Sequence, residues 1–255
     1  MYAEERQQAI AELISTRGRI SVAELSSTYG VTTETVRRDL AVLDRLGVIR
    51  RVHGGAVPAS ALVATEPGVG EREYTRAEQK DAIAAAAVEY LPPAGGSAVL
   101  DAGTTTGRLA ALLPSDRDLT VITNSVPIAA RLAPLGGVNL RVLGGRVRGT
   151  TQAAVGEEAL TALDWLRVDV AFVGTNALSV GHGLSTPDSD EAAVKRAMVR
   201  SANHIVVLAD STKVGREHLV SFARLDTIDV LVTDEDIDDK DHKSLIDNGI
   251  EVVIA

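Results

Sequence analysis

The chain contains no cysteine, which excludes disulfides and thiolate metal sites without fixing a compartment. Only 3% of its 255 residues are aromatic while 45% are hydrophobic, so its core must be aliphatic, and the length allows more than one domain. No apolar run approaches the ~20 residues of a membrane span, and Glu4 and Glu5 do not suit a signal peptide, so a soluble, cytoplasmic protein is expected. His182 and His204 have no His or Cys partners at ligand spacing, and neither a metal nor a cofactor is expected. A net charge of -9 argues at first against nucleic acid, but the sign is uneven. Residues 1–60 carry eight Arg against seven acidic residues, and 37–51 carry five Arg against two Asp, a local excess that phosphates would feel. The acidic remainder discourages nonspecific wrapping of DNA.

What is present begins with residues 19–55. Ser21 followed by Glu24 forms a capping box, flanked by Ile20 and Leu25 as a hydrophobic staple. Tyr29-Gly30 ends that helix, because glycine adopts the left-handed conformation, and Thr32 caps a second helix a few residues on. Val36, Leu40, Leu43 and Gly47 share one face of the second helix, with Glu34, Arg38, Ala41 and Arg45 opposite. Two arginines with a small residue between them suit close approach to a groove, and Thr33, Thr35 and Arg37 flank the N-terminal end where bases are usually met. After Gly47, β-branched residues are mixed with basic ones up to Gly54-Gly55, the pattern of a wing laying Arg50, Arg51 and His53 along a DNA backbone. The expected contact set is Ser21, Thr32, Thr33, Thr35, Arg37, Arg38, Ala41, Arg45, Arg50, Arg51 and His53. The alternative is an ordinary helical bundle with a surface Glu34–Arg38 pair.

The segment VTTETVRRDLAVLDRLGVIRRVHGGA resembles the N-terminal signature of DeoR-family bacterial transcription regulators. Arg37, Arg38, Asp39 and Leu40 match its recognition-helix run, and Arg51 to Gly55 match its wing; Thr32 departs from the more frequent Ser, though either hydroxyl caps. The resemblance implies a winged helix-turn-helix on double-stranded operator DNA.

Residues 1–57 are therefore assigned to that domain, 58–74 to a linker rich in Ala, Pro, Gly and Val, and 75–255 to a larger domain. A helix is expected over about 76–91. Strand-like runs at 97–101, 119–124, 139–145, 168–176, 204–210, 229–234 and 251–255 alternate with helical patterns, so the fold class is α/β, a Rossmann-like and mostly parallel sheet. Ligands in such sheets bind beyond the carboxyl ends of strands. Those ends carry Asp101, Gly103, Thr104, Thr105 and Thr106; Thr123, Asn124 and Ser125; Gly144 and Gly145; Asn176; and Lys213. Gly103 permits close approach, the threonines open a helix whose free amides attract an anion, Lys213 adds charge, and Asp101, Asn124 and Asn176 suit hydroxyls. Together they predict a phosphorylated sugar or polyol; taken singly, each is an ordinary turn or cap.

The resemblance extends through this half at Asp101 to Thr105, Thr123 to Ser125, Leu143 to Gly145, Asp190 to Ala192 leading to Lys195, and Asp210 to Lys213. It implies a DeoR-family effector domain similar in fold to ribose-5-phosphate isomerase and glucosamine-6-phosphate deaminase, and repression relieved by ligand, though family members can also activate. A homodimer or homotetramer is expected, setting the spacing of recognition helices on a repeated operator. A sugar-phosphate isomerase is the competing interpretation, since that fold uses carboxylate bases. The loop Gly174 to Leu178 has no acid, and Glu191 is the one carboxylate left as a candidate base or effector contact; otherwise it is a first-turn acid favoured by the helix dipole. A purely architectural DNA-binding protein would need no such loops. A sensor fits best.

Overall fold

Residues 1–65 form the smaller of two units and 66–255 the larger. The structure, a computed structural model, describes residues 3–18, 20–52, 54–58, 67–114 and 116–255, without the side chains of Glu4, Arg50 and Val52. The smaller unit runs α1 (Ala3–Arg17), β1 (Ile20–Ser21), α2 (Val22–Tyr29), α3 (Thr33–Arg45), β2 (Ile49–Val52) and β3 (Gly55–Pro58). The Ser21 hydroxyl accepts from Glu24 N–H at 3.1 Å, Gly30 ends α2 at φ 62, and the Thr32 hydroxyl accepts from Thr35 N–H at 3.2 Å. Val36, Leu40 and Leu43 are buried against Ile10, Ile14, Ile20 and Leu25. Each such side chain contributes about 1.5–3 kcal/mol of burial. Gly47 is not on that face: α3 stops at Arg45, and Gly47 turns the chain at φ 70.

The wing's two glycines have separate reasons. Gly54 takes the left-handed turn at φ 78, and its carbonyl accepts from Val22 N–H at 2.8 Å. At Gly55 a Cβ would lie 2.2 Å from the Ile20 carbonyl oxygen, because β3 pairs antiparallel with β1 as well as with β2. The hairpin is thereby stitched to the start of α2. Its second strand reaches Pro58, the residue at which the linker was expected to begin.

Asp39, in the middle of α3, is buried and accepts from Arg6 Nε at 2.7 Å and Gln7 Nε2 at 2.9 Å. The aspartate of the Arg-Arg-Asp-Leu run thus binds α3 to α1.

The larger unit begins with α4 (Val69–Tyr74) and α5 (Ala77–Ala87), followed by β4 (Ser97–Leu100), α6 (Thr104–Ala111), β5 (Leu119–Thr123), α7 (Val126–Leu132) and β6 (Val138–Val142). The hairpin β7 (Arg146–Arg148) and β8 (Ala153–Val155) leads into α8 (Glu157–Asp164), β9 (Val168–Gly174), β10 (Ala177–Ser179) and β11 (Gly183–Thr186). Then come α9 (Ser189–Ser201), β12 (Ala202–Leu208), β13 (Val220–Ala223), β14 (Val230–Thr233), α10 (Asp239–Asp247) and β15 (Glu251–Ile254). The seven expected strands are β4, β5, β6, β9, β12, β14 and β15. They form one parallel sheet in the order β15-β14-β12-β9-β4-β5-β6.

Both faces of that sheet are covered, which is why its strands read as nearly continuous apolar runs. Alternate residues feed two cores: Val99, Ala171, Val173 and Val207 join α8, α9 and α10, while Leu100, Phe172, Val206 and Val232 join α5, α6 and α7. The chain lays β5 and β6 on one side of β4 and then places β9 on the other, so strand order reverses between β4 and β9. The linker expectation needs correction at α4, where Val69–Tyr74 is helical. None of its residues is buried, so it left no apolar period to detect.

Replacing Asp39 with Ala should leave Arg6 partly buried and uncompensated, lowering the stability of the smaller unit by about 3 kcal/mol. Urea unfolding of Asp39→Ala checks this, and the Arg6→Met/Asp39→Leu double variant should recover most of the loss.

Candidate functional site

On the smaller unit, α3 presents Thr33, Arg37, Arg38 and Arg45 exposed, with Thr35 and Ala41 half-buried beside them. Arg37 lies 3.7 Å from Glu34, and Arg45 Nε donates to its own helix at the Ala41 carbonyl, 3.2 Å away. Arg51 is exposed on β2, and its backbone N–H donates to the Asp44 carboxylate at 3.3 Å, tying the wing to the end of α3. Ser21 and Thr32 are occupied as caps. His53 and the Arg50 side chain lie outside the described residues. The exposed stripe therefore combines three arginines with short side chains on a helix whose opposite face is locked into the core.

On the larger unit, a cavity of about 200 Å³ opens at the β4/β9 reversal point. It is lined by Gly103, Thr104, Thr105 and Thr106 from the start of α6, by Gly174 and Thr175 after β9, and by Leu208 to Asp210, Thr212 and Lys213 after β12. Pro67, Glu71, Arg72, Thr75 and Lys80 close the remaining side. No side chain caps the N-terminus of α6, so its amides are available to a ligand; Thr106 instead donates its hydroxyl to the Asp101 carbonyl at 2.7 Å.

Of the expected ligand contacts, Gly103 to Thr106 and Lys213 line this cavity. The others do not, and most are held by partners elsewhere in the unit. Asp101 is buried behind the lining, paired with Lys195, and accepts from Gly174 N–H at 3.0 Å. Lys195 also donates to the Gly174 carbonyl at 3.0 Å, so the pair clamps both backbone groups of the last residue of β9. Burial pushes the Asp101 carboxyl up, and Lys195 pulls it back. Thr123 donates to the Leu100 carbonyl at 2.7 Å, Asn124 bridges Ala102 N–H and the Ala154 carbonyl, and Ser125 caps α7. Gly144 precedes Gly145, which turns into β7 at φ 125, where a Cβ would meet the Val155 carbonyl oxygen at 2.4 Å. Asn176 follows the cavity-lining Thr175 without lining the cavity itself. Glu191 is buried, held by Thr151 Oγ1 and by Arg148 Nη1 at 2.5 Å, so its carboxylate is used away from the cavity. His182 bonds the His218 carbonyl through Nε2, and His204 Nδ1 lies 3.3 Å from Asp229.

Arg72, Thr75 and Lys80 escaped the sequence reading. Arg72 fell in the supposed linker. Lys80 carried a usable signal, since it lies on the same helical face as the buried Ile83, Ala84 and Ala87, a lysine on an apolar stripe. Its Nζ donates to the carbonyls of Arg72 and Thr75 at 2.5 and 2.7 Å. Burial is the main cause that lowers its pKa to about 8, with Arg72 and Lys213 pushing the same way and Asp210 opposing. Burial likewise lowers the pKa of Lys213, helped by Arg72 and opposed by Asp210. Three like charges thus converge on one cavity that also receives the positive end of α6.

A winged helix-turn-helix carried on the same chain as a doubly wound α/β unit defines a DNA-binding transcriptional regulator with a separate sensor domain. Residues 6–61 match the DeoR-like helix-turn-helix domain and residues 75–235 the DeoR C terminal sensor domain. The chain belongs to the DeoR family. It is 40% identical over 253 residues to the HTH-type transcriptional regulator GlpR of Haloferax volcanii, covering 99% of this chain and 98% of that one. The glycerol-3-phosphate regulon repressor of Escherichia coli K12 is 30% identical over 230 residues, 90% of each chain. Ribose 5-phosphate isomerase A from Methanocaldococcus jannaschii aligns over 53% of both chains at 21% identity with a TM-score of 0.38, and nothing about chemistry follows from that likeness. The protein is a regulator and not an enzyme.

Arg38→Ala should abolish sequence-specific operator binding while shifting the thermal midpoint by less than about 2 °C, because Arg38 is exposed and holds nothing in the core. A gel shift beside a thermal melt tests both halves of that statement.

Proposed function

We propose that this chain represses an operon for sugar or polyol use, and that a phosphorylated sugar or polyol held in the cavity sets its affinity for operator DNA. The observation that carries this is the convergence of Arg72, Lys80 and Lys213 on the uncapped N-terminus of α6. A helix N-terminus contributes about 0.3–1 kcal/mol to an anion, and each charge-assisted hydrogen bond about 1.5–3 kcal/mol more. A phosphate dianion therefore offsets the repulsion between Lys80 and Lys213 while filling the amides. Glu71 and Asp210 offer acceptors for the carbon chain's own hydroxyls. The name of the glycerol-3-phosphate regulon repressor supports a ligand of this chemical type.

On DNA, Thr33, Thr35, Arg37, Arg38, Ala41 and Arg45 of α3 enter the major groove and the wing arginines hold the phosphate backbone. The protein acts as a homodimer or homotetramer, which sets the spacing of its recognition helices on a repeated operator. Ligand shifts the balance toward an arrangement with lower DNA affinity.

Lys213→Ala and Thr105→Ala should each keep operator binding within about twofold and lose release by sugar phosphates. A gel shift with glycerol 3-phosphate and ribose 5-phosphate tests this, and a normal response in both variants would remove the cavity from the mechanism.

Binding should also depend on pH with a definite sign. Below about 8 Lys80 is charged before the anion arrives; above it the anion must draw in a proton, so affinity falls as pH rises through about 8. The second phosphate ionisation, near pH ~6, is complete by then. Titration calorimetry from pH ~7 to ~9.5 should show this decline in the wild type and a flatter profile for Lys80→Met.

A further inference from the structure

We infer that Arg76, which does not itself line the cavity, is a positioning residue of the anion site: it neutralises Asp210 and Asp234 just past the ends of β12 and β14, so that the ammonium of Lys213 is left to the ligand. This rests on the anion site proposed above.

The turn that brings Lys213 to the cavity also brings a carboxylate. Asp210 lines the cavity together with Lys213 and is buried. Its carboxylate accepts from the Thr212 N–H at 3.2 Å and from the Thr212 hydroxyl, and its carbonyl accepts from Lys213 N–H at 3.0 Å. Asp234, the residue after β14, is also buried and accepts from Ser211 N–H at 2.8 Å, so it holds the start of the 3-10 turn Ser211–Lys213. Two buried carboxylates thus build the turn. Such groups in and behind the wall of an anion site repel the ligand and compete with it for the ammonium beside them.

Arg76 meets both. Its Nη2 donates to Asp234 at 2.8 Å, to Asp236 at 2.7 Å and to the Ser211 hydroxyl at 3.3 Å, and its Nε lies 3.9 Å from the Asp210 carboxylate. Burial pushes the Asp234 carboxyl up, yet Ser211 and Arg76 hold it below the usual carboxylate range. The Arg76 Nε is buried without a hydrogen-bond partner among the described residues, so part of what the guanidinium supplies here is charge. The backbone of Arg76 is left-handed at φ 53, a conformation disfavoured for any residue with a Cβ, and the carboxylates around its side chain help to hold it there. Asp210 acts on Lys213 through its charge, but among the described residues the two side chains form no ion pair. Without Arg76, Asp210 and Asp234 would stay buried and uncompensated, and Lys213, carried on the same turn, would be drawn to Asp210. A phosphate would then have to displace a carboxylate to reach the ammonium.

Titration calorimetry of the full-length protein with inorganic phosphate tests this, since that probe has no carbon-chain hydroxyls for Asp210 to accept. Arg76→Gln should weaken phosphate binding about tenfold. Adding Asp210→Asn, whose amide oxygen can still accept from Thr212 N–H, should bring the double variant back to within about threefold of the wild type. Unaltered binding in Arg76→Gln overturns the inference. A loss that Asp210→Asn fails to restore overturns it too, because a purely structural brace gains nothing from that second change. Should Arg76→Gln fail to fold, Asp210→Asn alone decides: binding at least about twofold tighter than the wild type supports the inference, and weaker or unchanged binding overturns it. Absence of phosphate binding by the wild type overturns the anion site itself.

Discussion

The pairing of β4 with β9, Ala98 with Val170 through Leu100 with Phe172, is the constraint on which the larger unit turns. Once the chain returns to the far side of its first strand, the connecting helices must cover opposite faces of the sheet. The carboxyl ends of β4 and β9 then part to leave a crevice. Everything that lines the cavity is placed by that reversal. The Lys195–Asp101 pair is the lock on it, because it joins the end of β4 to both backbone groups of Gly174 at the end of β9. A buried ion pair is weak evidence for stability but good evidence for a specified geometry, and here the specified element is the loop that carries Thr175 into the cavity.

The cavity concentrates positive potential by three routes, each held in place by a different local structure. The amides of α6 are left without a side-chain cap, Lys80 is buried against backbone carbonyls, and Lys213 is set by a turn that Asp210 closes through its acceptance of the Thr212 N–H. Each would be a modest anion attractor alone. Their convergence is the basis of the proposed preference for a compact dianion, whose charge is dense enough to pair with several donors at once.

The smaller unit is built on a different economy, with one apolar face per helix and a wing fastened by backbone geometry. Gly54 and Gly55 look like a flexible pair in sequence, yet one supplies a left-handed turn and the other a close backbone crossing with β1. Rigidity of the wing follows, so Arg51 is carried on a strand and not on a loose tip. Asp39 shows the converse: placed next to the exposed Arg37 and Arg38 of the motif, it faces inward to Arg6 and Gln7, and it helps to fix the angle at which Arg38 is presented.

Much of this was legible in the residues themselves, because local signals report local physics. The caps at Ser21 and Thr32, the left-handed Gly30, and all seven parallel strands follow from hydrogen-bond donors, backbone freedom and uninterrupted apolar runs. Strand ends were overrun at Gly144 and Gly145, where a glycine that turns resembles one that binds. The short pairs β7-β8 and β10-β11-β13 were missed, since strands of three or four residues carry too little pattern. Asp101, Asn124 and Glu191 were recognised as polar groups at strand and helix ends, but which of them would face a ligand depends on distant partners: Lys195, Ala154 and Arg148. The sequence alone determined that this protein joins a winged helix-turn-helix to a parallel α/β domain with strand ends rich in Gly, Thr and Asn. Only the tertiary structure decided which of those ends line the cavity and which brace it, and that Arg72 and Lys80 join them. Burial and pairing across the reversal point are properties of residues far apart in the chain.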